Sequence, residues 1–149
     1  MTANATTIRP LAEADHADWR RLFTLYLQFY ETSVSERVYE VTWERLLSGR
    51  ANEFRGLVAE RDGKVIGLTH YLFHRHCWRV ENVCYLQDLY VDDSARGTGA
   101  GRALIEAVYA AADEAGCPSV YWLTQDFNTT ARRLYDRIGH LTPFIRYQR

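Results

Sequence analysis

At 149 residues, with 47% apolar and 25% charged side chains, the chain has the size and balance of one globular domain able to close a core. Its 18 Lys+Arg against 19 Asp+Glu give a net charge of −1, which argues against the clustered basic face of a nucleic-acid binder. No apolar run reaches bilayer length and no hydrophobic leader opens the chain, so a cytoplasmic protein with no membrane partner is expected.

Thr6 to Pro10 reads as a short edge strand closed by a proline. Asp15 is a candidate N-cap for a helix carrying Trp19, Leu22, Phe23, Tyr26, Phe29 and Tyr30 at spacings of three and four. A second helix is predicted from Val34 to Leu47, stopped by Gly49. The loop Tyr30-Glu31-Thr32-Ser33 lies between them, a natural exposed functional loop. Phe54 to Glu60 and Lys64 to Phe73 form a predicted hairpin around Arg61-Asp62-Gly63. A strand over Val83 to Val91 leads through Asp92-Asp93-Ser94-Ala95 into a glycine cluster. A helix follows from Gly101 to Ala115, ended by Gly116 and Pro118. Val120 to Thr124 is a predicted buried strand, Thr129 to Ile138 a helix ended by Gly139, and Phe144 to Tyr147 a last strand. The order predicts one α/β domain over 1–149, a mixed α+β fold with helices flanking a central sheet. The strands Val83–Val91 and Val120–Thr124, joined through a helix, should be parallel neighbours.

Cys77, Cys84 and Cys117 are odd in number and lack CxxC spacing, so no disulfide framework is expected. His70, His74 and His76 share parity on a predicted strand, but metal-ligand spacing is absent and no metal site is expected.

Chemistry concentrates at Arg96-Gly97-Thr98-Gly99-Ala100-Gly101-Arg102. Strand, turn, glycines and helix in that order aim backbone N–H groups at one point before a helix N-terminus, an anion site. Without Cβ atoms the glycines let an anion reach the backbone, and the two arginines add charge. The dinucleotide fingerprint fails because Arg102 stands where its third glycine is required, and the Walker loop fails because Gly101 precedes Arg102-Ala103. A turn-rich surface loop is the plain alternative.

Arg96-x-x-Gly99-x-Gly101 resembles the pyrophosphate motif of the GNAT acetyltransferase superfamily. Tyr85-Leu86-Gln87-Asp88-Leu89-Tyr90-Val91 precedes it at that family's spacing. Asn128, followed by Ala131-Arg132-Arg133-Leu134-Tyr135, fits the family's Asn-x-x-Ala-x-x-Leu-Tyr pattern. The resemblance covers Arg55 to Tyr147 and is strongest from Tyr85 to Gly139. Within the family the chain looks like the Hpa-type histone and amino-acid acetyltransferases and, more distantly, the diamine acetyltransferases.

The resemblance implies a GNAT fold, a mixed and mostly antiparallel sheet, with acetyl-CoA as cosubstrate and direct acetyl transfer to a primary amine. That amine belongs to a small molecule, a protein lysine or an N-terminus. It implies that Arg96 to Arg102 hold the pyrophosphate. It also implies a strand bulge with Leu89, Tyr90 and Val91 along the pantetheine arm, an arm contact from Asn128, and Tyr135 as donor to the departing thiolate. Taken alone, Asn128 reads as a helix cap and Tyr135 as core. Asp88 and Glu81 are candidate bases or water-holding groups. Gln87 stands where polyamine enzymes usually carry Glu, and an amide takes no proton. Cys84 and Cys117 lack a placed histidine and are not expected to carry acyl groups.

Phe29, Tyr30, Glu31 and Gln87 are expected on the acceptor side, an aromatic-and-acid wall suited to a cationic amine. The stripe Trp19–Tyr26–Phe29 reads equally as core. Phe144–Gln148 is expected to pair across a homodimer interface, as the Hpa-type resemblance implies. A non-catalytic acyl-CoA sensor on the same fold is the alternative function.

Overall fold

Asp62 and Gly63 take φ of 54° and 74°, the left-handed pair that a two-residue hairpin loop requires. They close the hairpin between β2 (Arg55–Arg61) and β3 (Lys64–His74) in the computed structural model of the chain, which describes residues 5–149. β1 (Thr7–Pro10) lies antiparallel on β2, where Pro10, which has no N–H to donate, is tolerated at a sheet edge. β4 (Val83–Val91) runs antiparallel to β3, and β5 (Val120–Tyr121) parallel to β4. The sheet order is β1-β2-β3-β4-β5, mixed and mostly antiparallel as the sequence predicts.

Helices cover both faces. α1 (His16–Phe29) and α2 (Glu36–Leu47) bury Trp19, Leu22, Phe23, Tyr39 and Leu46 against Val58, Leu68 and Tyr90. α3 (Ala100–Glu114) connects β4 to β5 and buries Ile105 and Val108 on the opposite face, against Tyr71, Phe73, Cys84 and Leu86. α4 (Thr129–Ile138) lays Leu134, Tyr135 and Ile138 onto that second cluster. Gly116 stops α3 at φ 71°, in the left-handed conformation a helix C-terminus favours. No helix among the described residues is long and apolar enough to cross a membrane.

Three sequence expectations fail. Asp15 does not cap α1 with its side chain. Its carboxylate instead accepts from the Arg9 guanidinium at 2.8 and 2.9 Å and from the Ala12 N–H at 2.8 Å, and Arg9 holds it below the usual carboxylate range. β5 stops at Tyr121 rather than Thr124. The reason lies on β4, whose ladder with β3 is interrupted at Gln87, two residues past the last β5 partner, and a bulge turns edge groups away from a neighbour. The last strand, Phe144 to Tyr147, is not formed. A two-residue edge strand offers little to pair with, and β-propensity alone does not make a strand without a partner.

Candidate active site

β4 and α3 meet at the glycine turn. Asp92 anchors its start: the backbone N–H donates to Ile66 O at 2.8 Å, and the carboxylate accepts from Arg21 at 2.9 Å and from the Ser94 N–H at 3.2 Å. Gly97 and Gly99 then both take φ 82°, where a side chain is strained. Thr98 Oγ1 donates to Ala95 O at 2.6 Å and tightens the turn. The bond from Ala103 N–H to Gly99 O, at 3.0 Å, opens the helical ladder. The N–H groups of Ala100, Gly101 and Arg102 therefore come before any helical partner and face outward at the positive end of the α3 dipole. A Cβ built on Gly97 or Gly99 meets nothing within 4 Å, so open space flanks the turn.

Arg96 pairs with Asp93 at 2.9 Å and Arg102 with Glu106 at 2.7 Å, both at exposed positions. Such pairs contribute little and yield readily to a stronger anion. The donor set and the room beside it fit a diphosphate.

β4 has one edge on β3, while on the other edge β5 matches only Cys84 and Tyr85. The backbone beyond Tyr85 is therefore free of a strand neighbour on that side. His70 opposes Asp88 and Tyr71 opposes Leu86, which leaves Gln87 as the extra, exposed residue of a bulge. The bulge thus sits at Gln87, earlier than the Leu89–Val91 positions the resemblance implied. Leu89, Tyr90 and Val91 hold regular register with Thr69, Leu68 and Gly67. Leu89, Leu134 and Tyr135 all pack against the α3-side core, and a Cβ on Gly101 would lie 3.8 Å from Val91 Cγ2 and 3.9 Å from Leu134 Cδ2. The end of β4, the start of α3 and α4 thereby come together around Gly101.

The bulge also sets which way Asp88 faces. Before it, Cys84 and Leu86 join the α3-side core; after it, Tyr90 joins the α1-side core. An unbroken alternation would have kept all the even positions on one face. Asp88 instead meets α1, buried to 9% exposure, with Oδ2 at 2.8 Å from His70 Nδ1. Burial and the Asp88 carboxylate push the Tyr26, Tyr30 and Tyr85 hydroxyls up from the usual phenol range.

Tyr135 stands on α4, its ring 5.4 Å edge-on from Trp122. Burial, then the nearby Tyr30, push its hydroxyl up to about 12. Tyr30 thus lies near both Asp88 and Tyr135. Asn128 caps α4, its Oδ1 accepting from Ala131 N–H at 3.3 Å, as the plain reading of that residue expects.

The acceptor-side residues divide. Tyr30 is partly buried, ring to ring with Tyr26 at 5.1 Å, whereas Phe29 is half exposed. Glu31 is exposed at φ 56°, beside a shallow depression lined with Gln28, Thr32 and Ser33. Glu81 does not join the site. It lies in the loop before β4, exposed beside Arg79, and Asp88 is roughly 15 Å further along the strand. Cys84 is buried with its thiol pushed up to about 12 by burial, which disfavours an acyl-carrying thiolate there.

Sequence reasoning missed Tyr26, His70 and Trp19 as neighbours of Asp88. The available signal was hairpin register, since His70 falls opposite Asp88 once β3 and β4 pair. The three histidines do not cluster: His70 is buried, and His74 Nε2 lies 2.8 Å from the Tyr121 hydroxyl. Among the described residues no His, Cys, Asp and Glu group is disposed to hold a metal ion.

Comparison with known proteins agrees with this geometry. The family model of the acetyltransferase (GNAT) family matches residues 19–140. The chain is 35% identical to the D-amino-acid N-acetyltransferase HPA3 of Saccharomyces cerevisiae, across 100% of this chain and 93% of that one. It is 30% identical to the thialysine N-epsilon-acetyltransferase of Mus musculus, across 91% of this chain and 84% of that one. In fold it is similar to an aminoglycoside N-acetyltransferase solved in complex with CoA, with TM-score 0.84 at 19% identity, covering 99% of this chain and 95% of that one. The chain thus belongs to the acetyltransferase (GNAT) family.

Proposed function

We propose that the protein transfers the acetyl group of acetyl-CoA to the primary amine of a small cationic or amino-acid acceptor, with Asp88 and Tyr135 on opposite sides of the reacting centre. The observation that carries this reading is the pair of left-handed glycines with open space before α3, at the end of the strand whose bulge turns Asp88 toward α1. The printed activities of the yeast and mouse relatives, on D-amino acids and thialysine, support an amine on a small acceptor.

When bound, acetyl-CoA supplies a thioester whose carbonyl carbon is taken by the amine nitrogen as the carbon–sulfur bond breaks. The amides of Thr98 to Arg102 and the two arginines hold the diphosphate, and the free edge of β4 at Leu89, Tyr90 and Val91 aligns the arm. Asn128 borders that arm while capping α4, and exposed Gln87 borders the acceptor. A lysine-like ammonium keeps its proton at neutral pH, and releasing it costs about 4.6 kcal/mol at pH 7. Asp88 receives the ammonium and takes that proton, directly or through water. Tyr135 stays protonated and donates a hydrogen bond to the leaving sulfur. Full proton transfer from a group near 12 to a thiolate near 8.5 would cost about 5 kcal/mol, so the hydrogen bond is its contribution. Tyr30, with Phe29 and Glu31 at the rim, walls the acceptor pocket.

Incubation with acetyl-CoA and a panel of amines, followed by a free-thiol assay, tests this. Thiol release that requires an amine is expected. Tight acetyl-CoA binding without amine-dependent release would make the protein a sensor.

Two finer readings belong here. The exposed Leu141, Phe144, Ile145 and Tyr147, each at least 74% accessible, support a homodimer in which this terminal segment pairs with a second copy. Sedimentation returning only monomer at micromolar concentration removes that reading. Three unpaired cysteines, Cys77 exposed among them, support residence in the reducing cytoplasm, which fractionation tests directly.

A further inference from the structure

Asp88 is the end of a longer chain of buried polar groups. Trp19 on α1 is fully buried and its indole N–H donates to His70 Nε2 at 3.0 Å. His70 on β3 is 2% exposed, and its Nδ1 lies 2.8 Å from Asp88 Oδ2 on β4. An indole nitrogen only donates, so Nε2 must offer its lone pair. The neutral imidazole therefore carries its proton on Nδ1 and donates it to the Asp88 carboxylate. Phe23 stands edge-on to the imidazole at 5.4 Å and holds the ring plane.

We propose that Trp19 and His70 are positioning residues for the amine acceptor. In this assignment Trp19 selects the imidazole tautomer, and His70 holds the Asp88 carboxylate in one orientation with its other lone pairs turned to an ammonium group. The proposal rests on the transferase reading of Asp88 and deepens it.

Three features favour this over a plain core role. Burying an imidazole is costly unless both nitrogens are bonded, and an apolar residue would fill the same space without that requirement. The chain ends on a carboxylate that the Gln87 bulge turns toward α1. The donor is uncharged, so it orients Asp88 without cancelling the negative charge a cationic amine needs, as an arginine would. Tyr26 on α1, Tyr30 just past its end and Tyr85 on β4 lie near enough to Asp88 for its charge to raise their hydroxyls. These rings suit a primary ammonium and add no competing positive charge.

The full-length protein is assayed with acetyl-CoA and either thialysine or D-lysine. His70→Leu should cut kcat/KM for the amine about 100-fold, the scale of a misplaced reacting group, with acetyl-CoA KM unchanged. His70→Asn, whose amide N–H sits near the place of Nδ1, should recover at least about tenfold of that loss, since the donor to Asp88 is restored. Nitrogen-15 spectra of the imidazole should show Nδ1 protonated and Nε2 bare in the wild type, and a mixture of tautomers in Trp19→Phe. The proposal is overturned by an unaltered amine kcat/KM in His70→Leu, by equal losses in the Leu and Asn variants, or by a wild-type proton on Nε2. A wild type that binds acetyl-CoA yet releases no thiol with either amine overturns the transferase reading and this proposal with it. Normal wild-type turnover with an indifferent His70→Leu overturns the proposal alone.

Discussion

The proposed coenzyme side is made from a single run, Arg96 to Arg102, while the proposed acceptor side gathers Trp19 and Tyr26 from α1, Tyr30 just past its end, His70 from β3 and Asp88 from β4. The first offers mainly backbone amides, which any sequence carries and which glycine exposes. The second offers side chains whose meaning depends on what faces them. A diphosphate is the same in every acyl-CoA, so a local loop suffices for it. An acceptor amine needs a shaped and charged pocket, which only packed elements supply.

This contrast predicts separable defects. The largest is expected for Asp88→Asn, which keeps the shape and removes the proton acceptor. Its kcat/KM for the amine should fall about 1,000-fold, while calorimetry finds acetyl-CoA affinity within a factor of two. A matching loss of coenzyme affinity would erase the division between the sides.

Gly99→Val comes next. Its effect arises from φ 82°, which a β-branched residue resists, and from a side chain entering the open space before α3. Acetyl-CoA affinity should weaken about 100-fold, or roughly 2.7 kcal/mol. Unaltered affinity would remove the diphosphate from this turn.

Tyr135→Phe should lower kcat by about 10- to 30-fold with coenzyme affinity nearly intact, the pattern of an interaction made mainly in the transition state. The pH dependence follows from the direction of its shift. A hydroxyl raised to about 12 stays protonated through the working range, so Tyr135 contributes no alkaline limb below pH 10. The unfolded chain would release the same proton near 10, so the stability this group contributes is fully present below about pH 10, falls as pH rises toward about 12 and stays lost above it. A limb near pH 8 to 9 present in the wild type and missing in the Phe variant would contradict the assignment.

Gly101→Ala should be the mildest. Its Cβ meets Val91 and Leu134 at ordinary contact distances within a helical first turn. Stability should rise by about 0.5–1 kcal/mol in urea unfolding, with acetyl-CoA affinity lowered less than fivefold. A large loss would show that the amides of this turn need closer approach than a methyl group permits.

Sequence and structure agree best where the physics is local. The Asp62-Gly63 turn, the stop at Gly116 and the left-handed glycines of the anion turn are all properties of a few consecutive residues, and each was legible. The terminal strand was misread because alternation along a strand does not say whether a partner exists. Asp15 holds the predicted N-cap position of α1, but its side chain does not cap because Arg9 approaches from another element and takes the carboxylate.

The order of elements, the mixed sheet, the family and its glycine turn follow from the sequence by itself, because backbone conformation and periodicity are set by neighbouring residues. Which face Asp88 occupies, where β5 ends, and the meeting of Trp19, His70 and Asp88 were decided only in the tertiary structure. The reason is that one unpaired residue, Gln87, reverses the pleat, and a reversal in register is visible only when two strands lie side by side.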